Sequence, residues 1–235
     1  DVKVLSGNEL IETLSSCYDR EGMEETIVIC RSNKRANIYN NGIRAQILWR
    51  EDELNTGDLL MVAKNNYFWT GRIKELEFIA NGETAVVHRV RRTRELYGFR
   101  FADVTLTFPN YDDLELEVNL LLDTLHTDAP ALPKADNDRL FYAVLEDYAD
   151  ISMKRERMKK MKADPCYNAL QVKYAYAVTC HKAQGGQWKN VFLDQGYMTD
   201  EYLTPDYFRW LYTAFTRATG TLYLVNYPQE QLIRE

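Results

Sequence analysis

Residues 26–30, Thr-Ile-Val-Ile-Cys, form an unbroken, mostly β-branched apolar run between polar neighbours. Such a run predicts a strand covered on both faces, the environment of a parallel sheet layered with helices. The same texture returns at "YAYAV" (174–178), in the strand that ends "VFLD" (191–194), and at "TLYLVNY" (221–227). Helical spacing surrounds the first run. Leu10, Ile11 and Leu14 share one face of 8–20, and a loop and helix follow residue 30, with Ser32 or Asn33 able to cap it. Strand–helix–strand–helix order predicts an α/β layer fold.

The texture changes in the middle. Residues 57–69 read as a strand ending in a polar-aromatic loop. From about 82 to 119 short alternating strands separated by turns predict antiparallel β structure, a small barrel or meander. Residues 138–162 show helical spacing through Leu140, Phe141, Val144, Leu145 and Tyr148, and end in a basic run. The simplest organisation is one α/β domain, 1–81 and 171–235, interrupted by a β-rich module with a helical basic segment at 82–170.

The net charge of −6 argues against a uniformly basic nucleic-acid binder, but the charge is patchy. "HRVRRTR" (88–94) and "KRERMKKMK" (154–162) are basic; 111–123 and 136–150 are acidic. No apolar stretch approaches the roughly 20 residues of a membrane span. The opening 14 residues lack the basic start and long apolar stretch of a signal peptide. The chain begins without Met and is expected to be a fragment or a processed product. Four cysteines outside any CxxC pair predict reduced thiols in a cytoplasmic protein, and three scattered histidines suggest no metal cluster.

The last third concentrates polar groups where strands emerge. "VTCHKAQGGQWKNVFLD" (178–194) carries an apolar strand into Thr-Cys-His-Lys, then a glycine pair, then a second strand. Thr204-Pro205 predicts a helix start, with the helix running to Gly220. Phe208, Leu211, Tyr212 and Phe215 follow i, i+3, i+4, i+7 and are expected to form its core stripe, leaving Arg217 pointing away from the core with Trp210 and Thr213.

These segments resemble superfamily-one helicases. "VTCHKAQGGQWKNVFLD" followed by "LYTAFTRATGTLYLV" looks like motifs V and VI, with the RecD-like branch nearest. "TIVICRSNKRAN" looks like motif IV, and "GDLLMVAKNNYFW" like the stretch before the RecD-like inserted barrel. The resemblance covers about 1–83 and 171–227. It implies the second of two RecA-like domains: a P-loop NTPase-type parallel sheet without its own P-loop, interrupted by the small barrel. No GxxxxGK[ST] loop occurs in the sequence, so the chain alone is expected to be inactive as an ATP hydrolase. The implied ligands are ATP and Mg²⁺, bound mainly by the N-terminal RecA-like domain of the same protein, and single-stranded DNA. The implied activity is 5′→3′ helicase action.

Residue by residue, the resemblance makes Arg217 the arginine finger of motif VI and Arg31 a second arginine reaching the γ-phosphate. Arg31 has an alternative as a strand-end arginine paired with a local carboxylate, and Arg35 is its nearest competitor. Gln184, Gly185, Gly186 and Gln187 are assigned to the nucleotide, although Gln187 stands where relatives of the UvrD branch carry Glu. Thr179, His181 and Lys182 are assigned to DNA. Lys64, Asn65, Asn66 and Tyr67 resemble the loop beside the DNA track; a polar hairpin turn explains them equally well. The alternative to a motor is a non-catalytic module, binding nucleic acid or protein, that kept the fold.

Overall fold

The computed structural model describes residues 1–71, 76–228 and 231. The chain divides into two compact units, Asp1–Glu51 with Ala175–Glu235, and Asp52–Tyr174.

The first unit contains β1 (Val2–Leu5), α1 (Leu10–Glu21), β2 (Thr26–Cys30), α2 (Asn33–Gln46), β8 (Ala177–Thr179), β9 (Trp188–Asp194), α5 (Pro205–Phe215) and β10 (Ala218–Val225). Its five strands form one parallel sheet in the order β1-β10-β9-β2-β8. The all-apolar reading of 26–30 holds: every residue of β2 is buried. Leu10 and Leu14 are buried from α1, and Ser32 caps α2 by accepting from the Arg35 N–H at 3.2 Å. The edge strand β8 lacks a neighbour on one side. Buried Asn40 of α2 supplies one, accepting from Ala177 N at 2.8 Å and donating to Ala177 O at 2.9 Å. Phe192 and Tyr223 stack with centroids 4.3 Å apart on neighbouring strands.

The second unit contains β3 (Leu59–Val62), β4 (Thr84–Leu96), β5 (Phe99–Phe108), β6 (Leu114–Leu121), α3 (Lys134–Glu146), α4 (Lys154–Lys162) and β7 (Leu170–Tyr174). Its five strands close into a barrel, β3-β4-β5-β6-β7. Leu140 and Val144 of α3 and Met161 of α4 pack on Phe99 and Phe101 of the barrel wall. The α/β class, the parallel sheet and the inserted small barrel are therefore as expected.

The division differs from the sequence-based boundaries at 82 and 170. β3 pairs with β4 and β7, so the segment from Asp52 belongs with the barrel. An apolar tetrapeptide such as Leu59–Val62 suits either sheet, and only its partners decide. The basic helical segment is broken, α3 ending at Glu146 and α4 starting at Lys154.

The phase of α5 is also corrected. Thr204 caps it and Pro205 opens it as expected, the Thr204 hydroxyl accepting from Tyr207 N at 3.3 Å. The buried residues are Tyr207 and Ala214, however, while Phe208 is 55% and Tyr212 72% exposed. Nearly every position from 207 to 215 is apolar or aromatic, so periodicity admits either stripe; the small Ala214 faces inward. The helix ends at Phe215 rather than Gly220, because the chain turns into β10, where Ala218 lies level with Trp188. At Gly220 a Cβ would stand 2.8 Å from Lys189 O, so glycine is required there by packing rather than as a helix stop.

Among the described residues no helix is long and apolar enough to cross a membrane. All four cysteines are buried and unpaired.

Candidate functional site

The loop 180–187 leaves the carboxyl end of β8 and enters the amino end of β9. Thr179 is level with Cys30, and Cys30 with Asp194, the last residue of β9; the loop delivers the chain to Trp188, the first. Six residues at about 3.3 Å each separate these levels, about 20 Å. The loop thus runs the length of the strands, from one edge of the sheet to the other. The glycine pair lies towards the amino edge, where Gly186 O accepts from Arg217 beside Trp188.

Its first half is pinned. Cys180 N donates to Cys30 O at 3.2 Å, extending the ladder of β2 and β8 by one residue. The N–H groups of Lys182 and Ala183 both return to Thr179 O, at 2.9 and 3.1 Å. This is a single turn and not the start of a helix. Cys180 and Ala183 are buried, His181 is exposed, and Thr179 and Lys182 are half-buried. Burial holds the Lys182 ammonium below the ordinary lysine range.

The second half is shaped by the glycines. Gly185 has φ +87°, a backbone state that favours glycine. At Gly186 a Cβ would meet Trp188 Cη2 at 2.3 Å, so the indole lies where any side chain would stand. Gln184 and Gln187 are exposed on either side.

Arg217 joins this half. It lies between α5 and β10 and is partly buried. Its Nη1 donates to Gly186 O at 3.1 Å, Nε to Thr213 O at 3.0 Å, and Nη2 to the Thr216 hydroxyl at 3.0 Å. Its own carbonyl accepts from Trp188 N at 2.9 Å. All three acceptors are neutral, and among the described residues no carboxylate pairs with the guanidinium. A buried-edge cation compensated only by dipoles retains the capacity to meet an anion.

Arg31 is elsewhere. It follows Cys30 at the carboxyl edge, with its guanidinium 5.6 Å from the Tyr202 ring centre and 5.9 Å from those of Tyr207 and Trp210, against the Met198 sulfur. No hydrogen bond or ion pair among the described residues joins Arg31 to Arg217, although the Arg217 charge reaches Cys180, whose N–H is bonded to Cys30 O beside Arg31. Arg35 is also committed. Its Nε donates to Asp194 at 2.6 Å, and the Tyr39 hydroxyl donates to the same oxygen at 2.6 Å. Asp194 is 2% exposed and also accepts from Gly196 N at 2.7 Å. Sequence reasoning missed this cluster, although an acid directly following the apolar run of β9 signals a buried, paired carboxylate.

Lys64, Asn65, Asn66 and Tyr67 belong to the barrel unit. Asn66 is structural: its amide donates to Asn168 O at 2.9 Å and accepts from Phe68 N and Trp69 N, at 3.0 and 3.3 Å. Asn65 accepts from Asn81 N at 2.7 Å. Lys64 is exposed, and Tyr67, 66% exposed, is backed by Phe78 at 5.0 Å.

Residues 174–225, which span the loop, α5 and β10, match the family described as the UvrD-like helicase C-terminal domain. No curated protein sequence matches the chain. Similar solved structures include two coordinating Pif1 helicases at forked double-stranded DNA, 14% identical over 97% of this chain and 46% of that one, with a TM-score of 0.47. Another is Pif1 helicase from Bacteroides with ADP-AlF3 and single-stranded DNA, 14% identical over 97% and 48%, TM-score 0.45. A third is Pif1 helicase from Candida albicans, 12% identical over 97% and 51%, TM-score 0.44. The chain spans about half the length of these structures.

Proposed function

We propose that this chain is the C-terminal motor half of an ATP-dependent DNA helicase, a second RecA-like domain of RecD-like type moving 5′→3′. The observation that carries this reading is the hydrogen bond between Arg217 and Gly186, which ties the arginine of one motif to the glycine turn of the other. The family match over 174–225 supports it.

Arg217 is the finger. Its guanidinium rests on two carbonyls and a hydroxyl, and phosphoryl oxygens carrying transition-state charge are stronger acceptors than any of these. Gln184, Gly185, Gly186 and Gln187 line the same edge and offer amides and close backbone approach to a nucleotide. Arg31, at the opposite edge among aromatic rings, has no part in this step. ATP and Mg²⁺ would be held mainly by the N-terminal RecA-like domain, which the resemblance to two-domain motors implies. When bound, that ion neutralises charge on the phosphate oxygens.

Thr179, His181 and Lys182 form the DNA end of the loop, with hydroxyl, imidazole and ammonium donors for phosphate oxygens. Because one eight-residue segment, 180–187, runs between the edges, a shift at the nucleotide end is transmitted along covalent chain to the strand-binding end. On the barrel unit's own surface, Lys64 and Tyr67 are assigned separately to single-stranded DNA.

The test is Arg217→Ala in the parent protein. Hydrolysis should fall by roughly 10³–10⁵, with single-strand affinity within a few-fold of the parent. Near-normal turnover overturns the motor reading and leaves the non-catalytic module.

A further inference from the structure

We infer that the helical insertion of the barrel unit completes a single-stranded nucleic-acid groove in which Lys134 and Lys162 join Lys64 around the phosphate backbone and Tyr67 receives a base. The inference rests on the reading that the parent protein handles single strands, and adds residues of α3 and α4 to it.

Two cavities of about 400 Å³ and 380 Å³ adjoin in this unit and share Lys64, Asn137 and Tyr167 as a common wall. Each lies within the range of roughly 300–1,000 Å³ usual for small-ligand sites. Lys162, the last residue of α4, lines the first, and Lys134, the first residue of α3, lines the second. The ammonium groups thus come from three segments distant in sequence.

The assembly is held by Asn168. Its side chain donates to Lys162 O at 2.8 Å, while its carbonyl accepts from Asn66 Nδ2 and Trp69 Nε1, both at 2.9 Å. The end of α4 is therefore fixed beside the loop carrying Lys64 and Tyr67. The opening of α3 has no side-chain cap, so its first free N–H groups add positive potential beside Lys134.

Part of the other basic surface is already neutralised. Arg91 of β4 is bound to Glu117 of β6, and Arg94 of β4 to Asp103 of the adjacent β5. Lys64, Lys134 and Lys162 are exposed, and none has a carboxylate partner among the described residues. Asp138 is the one acid among the lining residues of the two cavities. Unpaired lysines on several elements, beside an exposed tyrosine seated on a second ring, suit a strand of repeating phosphates and bases.

The 235-residue chain is titrated with fluorescein-labelled oligo-dT over a salt series. The combined variant Lys64→Gln, Lys134→Gln, Lys162→Gln should bind at least about tenfold more weakly at 0.1 M salt. Its plot of log affinity against log salt should be shallower by about 2, near 0.7 for each lost phosphate contact. Tyr67→Ala should weaken binding about tenfold without changing the slope. All three lysines are exposed, and unchanged thermal melts confirm folding. An unchanged slope in the triple variant, with Lys182→Gln still weakening binding, overturns the groove and leaves the motor reading standing. Absence of oligo-dT binding overturns the groove, and the motor reading keeps its own test at Arg217. Displacement of the oligomer by inorganic phosphate or dTMP at equal phosphate concentration overturns the strand assignment in favour of a free phosphate species. Equal displacement by polyglutamate overturns it in favour of an acidic protein segment.

Discussion

The two edges of the parallel sheet hold arginines in opposite company. At the amino edge Arg217 rests on neutral oxygens of Thr213, Gly186 and Thr216. At the carboxyl edge Arg31 faces the rings of Tyr202, Tyr207 and Trp210, and Arg35 is bound to buried Asp194. In the sequence Arg217 is assigned as the finger, and Arg31 as a second arginine with Arg35 as its nearest competitor. The difference teaches that an arginine's availability for phosphate depends on what it must give up. Exchanging a carbonyl for an anionic oxygen strengthens the bond, whereas leaving an aromatic cage or a carboxylate forfeits one.

The sharpest way to break this comparison is to remove each arginine in turn. Arg217→Ala should lower hydrolysis in the parent protein by roughly 10³–10⁵. Steady-state turnover with saturating single-stranded DNA measures it, and a loss confined to KM would contradict the assignment.

Next in size is the glycine that Arg217 touches. Gly186→Ala places a Cβ 2.3 Å from Trp188 Cη2 and displaces the indole. Overpacking of this kind costs about 1–3 kcal/mol, read as a lower midpoint in urea at unchanged slope. An unchanged midpoint would show that the indole moves freely and that the turn does not hold the arginine rigidly.

Arg31→Ala should cost about 1.5–3 kcal/mol of stability, from roughly 0.5–1 kcal/mol for each of three exposed cation–ring contacts, and leave turnover within a few-fold. A fall in turnover comparable to that of Arg217→Ala would erase the distinction between the edges.

The smallest effect is a pH dependence at the carboxyl edge. Burial disfavours the charged form of Lys182, so its proton leaves at lower pH than an ordinary lysine's. A strand phosphate binds the charged form. Single-strand affinity should therefore be greatest below the lowered pKa and decline as alkaline pH passes through it. Lys182→Arg, charged throughout, should remove the decline in an anisotropy titration. A profile identical in both proteins would take Lys182 out of the DNA contacts.

Much of this was legible. The run at 26–30 predicted a strand buried on both faces, and all five residues are buried. The alternation at 82–119 predicted antiparallel strands, and β4, β5 and β6 pair in that way. The cap at Thr204 and the order of the glycine loop and the arginine motif were readable as local patterns. The membership of β3 in the barrel was not, because Leu59–Val62 shows burial without showing which sheet buries it. The face of α5 was not, because apolar residues occupy both stripes. The company of Arg31 was not legible, because a motif lists residues in order and does not say which rings or carboxylates will surround them.

By itself the sequence determined the class of fold, the burial of the central strands and the order of the motif residues, since periodicity and backbone chemistry act over a few neighbours. Only the tertiary structure decided which strands close the barrel, which side of α5 faces inward and which arginine remains unpaired by acid. Each of these is a choice among partners far apart in the chain. Pairing of that kind is settled by packing and charge compensation in three dimensions, which no local pattern encodes.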